Sequence, residues 1–98
     1  MIYMEERHLK IVQDILSRYP YKFYAFGSRL NPTHNQYSDL DLCAMEDIPE
    51  VTKSYLEEAF EESNLPFKVD IIEWNKISHD FQSLIKNSLV PLIKSGEQ

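Results

Sequence analysis

"YAFGSRLNPTHNQYSDLDLCAM", residues 24–45, decides how the rest of the chain is read. An aromatic run ends at Gly27-Ser28, a polar stretch containing Asn31-Pro32 follows, and then Asp39 and Asp41 interrupt an apolar segment. Leu40, Leu42 and Ala44 alternate with Asp39, Asp41 and Cys43, the period of two that marks a strand with one face in the core. Side chains two apart on a strand share a face, so the two aspartates sit about 7 Å apart on the same side. Strands disfavour Asp, and like charges on one face repel. The pattern therefore asks for a compensating charge.

Outward from this stretch the chain alternates helix and strand periods. Residues 4–19 read as a helix with an apolar stripe of Leu9, Val12, Ile15, Leu16 and Tyr19, and Pro20 stops it. Residues 21–26 read as a strand and 29–36 as a loop or short helix with a loop. The Asp-bearing strand covers 37–45. A helix over 49–62 follows, with Pro49 in its first turn and Val51, Tyr55, Leu56, Ala59 and Phe60 on its apolar side. Residues 67–74, "FKVDIIEW", make a third strand. Ser78 caps a last helix bearing Phe81, Leu84, Ile85, Leu89 and Leu92, which Pro91 kinks or ends. The order is α-β-β-α-β-α, an α+β domain spanning 1–98 with helices packed on one face of a small sheet.

Composition narrows the functional classes. The 98 residues are 43% hydrophobic, enough for one modest core. A net charge of −6 disfavours direct nucleic-acid binding, which rests on cationic contacts with phosphate. It leaves room for a phosphorylated ligand, because a bound metal reverses the local sign. The single cysteine allows no internal disulfide and points to a reducing compartment. No apolar run reaches the roughly 18 residues of a membrane span, and the opening "MIYMEERHLK" lacks a signal-peptide pattern. The expectation is a cytoplasmic protein.

A third acidic residue completes a site. Asp70 lies between Val69 and Ile71 in an apolar strand. If that strand neighbours 37–45, three carboxylates converge on one side of the sheet. Left bare, such a cluster raises at least one pKa and costs stability. Mg²⁺ removes the problem: it takes one or two carboxylates and completes its shell with water and substrate phosphates. Two ions about 3.5–4 Å apart hold the attacking and leaving oxygens of a phosphoryl transfer. Gly27-Ser28 supplies a phosphate holder, since a glycine lets backbone N–H groups approach an anion and a following helical turn favours it. Arg29 stands beside it and could grip phosphate in bidentate fashion.

Gly27-Ser28, ten residues, then Asp39-Leu40-Asp41 resembles the pattern of the nucleotidyltransferase superfamily that includes DNA polymerase beta and kanamycin nucleotidyltransferase. "AFGSR", "YSDLDL", "LEEAFEESNLPFKVDIIEW" and "DFQSLIK" are similar to the short minimal nucleotidyltransferase (MNT) chains that pair with a helical HEPN protein. The resemblance covers about residues 9–94. It implies a polymerase beta-like fold with a small mixed sheet. It further implies that Asp39, Asp41 and Asp70 hold Mg²⁺, with Asp70 also activating an acceptor hydroxyl. Gly27 and Ser28, with Arg29 close by, would hold the phosphates of ATP. Such chains resemble antitoxins of type VII-like pairs, which move AMP onto a tyrosine of a HEPN toxin. One position departs from the pattern: many members carry a glycine where this chain has Pro32, which alters the phosphate loop.

Two rival readings stand beside this one. In the first, the acidic chain neutralises a basic toxin by binding alone and its nucleotide site is vestigial. In the second, it is the nucleotide-binding subunit of a two-chain transferase for a small molecule, whose partner supplies the substrate pocket. The remaining features read as structural: Glu57, Glu58, Glu61 and Glu62 as a solvated helix face, Cys43 as a small core residue, and His8, His34 and His79 as lacking metal-ligand spacing.

Overall fold

A computed structural model of the chain describes residues 2–32 and 38–92. Residues 33–36 of the expected loop, Tyr37 at the start of the expected second strand, and residues 93–94 of the resemblance lie outside the described residues, as does the side chain of Ser28. Three helices, α1 (Glu6–Leu16), α2 (Glu50–Glu61) and α3 (His79–Ile85), accompany four strands: β1 (Phe23–Phe26), β2 (Leu40–Ala44), β3 (Val69–Glu73) and β4 (Val90–Pro91). The sheet order is β3-β2-β1-β4. β1 runs antiparallel to β2 and β4, while β2 and β3 are parallel, so the sheet is mixed. The parallel pair needs a long crossover, and α2 provides it.

Alternation along the strands sorts the side chains onto two faces. Phe23, Ala25, Leu40, Leu42, Ala44 and Ile71 are buried against Val12, Ile15 and Leu16 of α1 and Leu56 and Phe60 of α2. The apolar stripe of α1 is the expected one, with Leu9 and Tyr19 packed against the core from its edges. On α2 the stripe is narrower than expected. Val51 and Tyr55 are 60% and 59% exposed, because Leu56 and Phe60, with Ala59 beside them, face the core while the start of the row at 51 and 55 turns away.

The other face is covered more thinly. Phe26, Cys43 and Ile85 form a second, smaller cluster, joined by Ile72, Trp74, Phe81 and Leu89. The expectation of helices on one face holds for α1 and α2; the seven-residue α3 lies against the opposite face. Its start follows the expected chemistry, with the Ser78 hydroxyl accepting from the Phe81 N–H at 3.1 Å.

The end of the chain corrects the reading of a last helix that carries Leu89 and Leu92. α3 stops at Ile85, a 3₁₀ turn covers Lys86–Ser88, and the chain returns as the two-residue strand β4. Pro91 cannot donate to a ladder, and it sits on an edge strand, where that is tolerated. Leu92 is thereby buried in the larger core, its N–H bonded to the Phe23 carbonyl and its own carbonyl to the Gln13 amide.

Candidate active site

The register places the acidic residues. In the parallel pair Asp41 faces Asp70, and in the antiparallel pair Asp41 faces Phe26, the last residue of β1. One row across the sheet therefore reads Phe26, Asp41, Asp70, and Gly27 comes next to it where β1 ends. Asp39 and Asp70 are exposed and Asp41 is half-buried. The side of Asp41 is also the side of Cys43, opposite Leu40 and Leu42, as the period of two requires.

Asp39 and Asp70 both lie close enough to Asp41 for their charges to act on its carboxyl. The Asp41 carboxyl is pushed above its ordinary value first by burial, then by Asp70 and then by Asp39. A cluster strained in this way is relieved by a cation. Among the described residues no three His, Cys, Asp or Glu side chains gather closely enough to hold a metal ion by themselves. The donor set here is different: two register-paired carboxylates and a third nearby, on an open face. That suits Mg²⁺, which keeps waters and takes up substrate phosphate oxygens instead of demanding an all-protein shell. The residues present fit the ion.

Gly27 is required here for two separate reasons. Its φ is +89°, the left-handed region that side chains avoid. A Cβ built on it would lie 2.5 Å from Asp41 Oδ2. Glycine thus lets the chain turn sharply and brings the backbone against the carboxylate. The 3₁₀ turn Ser28–Leu30 follows at once.

Arg29, the middle residue of that turn, is buried. It is 2% exposed. Its Nε donates to the Ser38 carbonyl and its Nη1 to the Tyr3 carbonyl, both at 3.2 Å, and its guanidinium stacks 4.2 Å above the Phe67 ring. It ties together the N-terminal segment, the stretch leading into β2 and the stretch leading into β3. Two arms of its guanidinium fork hold backbone carbonyls.

Two buried polar features escaped sequence reasoning or confirm its caution. Glu73, 4% exposed, accepts the Ile48 N–H at 2.9 Å and pairs with Lys53 and Lys76 at 3.5 and 3.4 Å. Its carboxyl is held below the ordinary value, chiefly by the Ile48 N–H. It anchors the loop before α2 to the end of β3; only the apolar neighbours on either side of it hinted at burial. Cys43 is buried, and burial pushes its thiol up to about 11, so it is a packing residue and no nucleophile.

A glycine-ended strand, a turn and register-paired acidic residues sit together on a small mixed sheet, and comparison with known proteins gives the class of the protein, a nucleotidyltransferase. The nucleotidyltransferase domain family matches residues 5–94, and the chain belongs to that family. It is similar to a protein of Haemophilus influenzae named "Probable protein adenylyltransferase MntA", 37% identical over 91 residues that make up 89% of this chain and 80% of the relative. Two solved structures share the fold at 17% identity. One is a toxin–antitoxin complex with AMP-PNP (TM-score 0.68, covering 91% of this chain and 76% of that one). The other is a mutant of the toxin–antitoxin pair MntA–HpeT (TM-score 0.59, 92% and 75%). Among the described residues no helix is long and apolar enough to cross a membrane.

Proposed function

We propose that this nucleotidyltransferase moves AMP from ATP to a hydroxyl, namely a tyrosine of a HEPN-type toxin partner, and so acts as an antitoxin. The observation that carries the reading is the pairing of Asp41 with Asp70 beside the Gly27 turn. The relative named as an adenylyltransferase, the AMP-PNP in one structural neighbour and the toxin–antitoxin context of both neighbours support it.

Each residue has a role in this scheme. The backbone at Gly27 and Ser28 binds the phosphates, with the Ser28 hydroxyl as a further donor. Asp39, Asp41 and Asp70 are the residues that would hold Mg²⁺, in two ions as the family pattern implies. When bound, magnesium neutralises phosphate charge and polarises the α-phosphoryl group. Asp70, exposed on the edge strand β3, orients the acceptor hydroxyl and takes its proton. The acceptor oxygen bonds to the α-phosphorus as the bond to pyrophosphate breaks, leaving AMP on the acceptor. Arg29 acts at a distance by holding the segments that carry Gly27 and Asp39 in place. Positioning and charge neutralisation account for the catalysis.

The test is an incubation of the chain and its HEPN-type partner with ATP and Mg²⁺, read by intact mass. The partner should gain one or more AMP groups with the native chain and none with Asp41→Asn. An unmodified partner whose toxicity is nevertheless suppressed by the triple Asn variant at 39, 41 and 70 would establish neutralisation by binding alone. AMP found only on a small hydroxyl compound would establish the two-chain small-molecule transferase.

A further inference from the structure

A groove of about 480 Å³ opens beside Asp70, between α2 and the start of β3. Among the described residues its apolar lining includes Phe60, Leu65 and Phe67. The Arg29 guanidinium covers one face of the Phe67 ring, and His8 meets that ring edge to face at 5.8 Å between centroids. Glu57 and Glu61, one turn apart on α2, and Lys68 also line the groove. Glu58 and Glu62 continue the acidic surface over the helix into a separate groove between α1 and α2. All four glutamates are exposed. Among the described residues none of them makes an ion pair, whereas Glu5, Asp14 and Glu73 each do.

This arrangement costs the free chain stability. Glu57 with Glu61, and Glu58 with Glu62, are like charges four apart on a helix, which repel. The last turn of α2 holds no basic residue to suit the negative end of its dipole. As with the aspartates, the local cost points to a cation supplied from outside.

We propose that the groove at Asp70 receives a polypeptide acceptor whose reacting hydroxyl is flanked by a lysine or arginine, and that Glu57 and Glu61 select for that cation. The inference rests on the acceptor's place at Asp70 given above and adds what separates a correct acceptor from a wrong one. The apolar lining suits an aromatic acceptor ring, with Phe67 fixed by its own neighbours. Asp70 is engaged with the metal in that scheme, so two carboxylates against the one Lys68 ammonium leave the groove negative. Charge of one sign beside a reaction site favours partners of the other sign and suppresses wrong ones.

The extent of the acidic surface selects a macromolecule. A small compound seated at Asp70 meets Glu57 and Glu61 alone, because Glu58 and Glu62 line the next groove. A protein surface that carries several cations meets the whole ridge. The helix face that reads from the sequence as merely solvated thereby acquires a use.

The experiment measures AMP transfer to the HEPN-type partner with partner and ATP varied separately, in the native chain, the double variant Glu57→Gln/Glu61→Gln, and Lys68→Gln. The double variant is expected to raise the KM for the partner about three- to tenfold and to leave the KM for ATP where it was. Its thermal midpoint should hold or rise, since a repulsion has gone. Lys68→Gln should move the partner KM the other way, which a general loss of structure would not do. Added salt should raise the native partner KM toward that of the double variant. A partner KM unchanged in the double variant overturns the inference and leaves the transfer reaction standing. An equal rise in both KM values, with a lower midpoint, also overturns it, because the glutamates would then act on the fold. A native chain that moves AMP only to a small hydroxyl compound overturns the polypeptide acceptor. A native chain that moves no AMP at all overturns the proposed function, and the selection with it.

Discussion

Leu42 and Asp41 are neighbours on β2 and belong to different worlds. Leu42 points into the apolar core closed by α1 and α2. Asp41 points to the face that the short α3 and its flanking turns cover, among the described residues, and there it meets Asp70 across the register and the backbone turn at Gly27. The first face stabilises; the second accumulates unfavourable charge. The contrast teaches that this small domain concentrates its folding energy on one side of the sheet and leaves the other free for chemistry.

Truncating the closed face should have the largest effect on stability. Leu42→Ala is expected to cost about 2–5 kcal/mol, read as a lower midpoint in urea, with activity falling only as the folded fraction falls. Asp41→Asn should do the reverse. AMP transfer is expected to drop by about 10²–10³-fold. The midpoint should stay level or rise by about 0.2–1 kcal/mol, because the opposed like charges are gone.

Gly27→Ala touches both sides of the contrast. The positive φ alone costs about 1–3 kcal/mol, and the new methyl forces Asp41 aside, so transfer and stability should fall together. Expected loss in both thermal midpoint and turnover distinguishes it from Asp41→Asn.

The smallest effect lies at Glu73, which belongs to the closed face although it is charged. Its carboxyl is depressed, so the stability it contributes is fully present above the ordinary glutamate value of about 4.3 and is lost as pH falls through the lower folded value. Glu73→Gln should cost about 1–2 kcal/mol at neutral pH and flatten the acid limb of the urea-midpoint profile. Asp41 has the opposite sign: its carboxyl is raised, so its unfavourable contribution is relieved as pH falls.

Much of this division was legible in residues. The alternation at 39–44 assigned Asp41 and Leu42 to opposite faces before any register was known, and the apolar neighbours of Asp70 made it a strand residue. Tertiary facts were not legible. Arg29 beside Gly27-Ser28 looks like a phosphate ligand because its fork suits phosphate and backbone carbonyls alike; only the fold brings Tyr3, Ser38 and Phe67 around it. Val51 and Tyr55 fit a helical stripe, but how far a stripe extends depends on where the sheet ends. Leu89 and Leu92 fit the period of α3 and are placed instead by the return of the chain to β1. A two-residue strand has too little pattern to read.

The account depends on carboxylates from two strands acting together on a metal-bound nucleotide. Thermal unfolding with a non-hydrolysable ATP analogue, with and without Mg²⁺, tests this most directly in the native chain, Asp41→Asn and Asp70→Asn. At about 100 times its dissociation constant a ligand adds about 2.7 kcal/mol, several degrees for a domain of this size. The native protein should show that rise only when Mg²⁺ is present, and each variant should lose it. An equal, magnesium-independent rise in all three proteins would contradict the account.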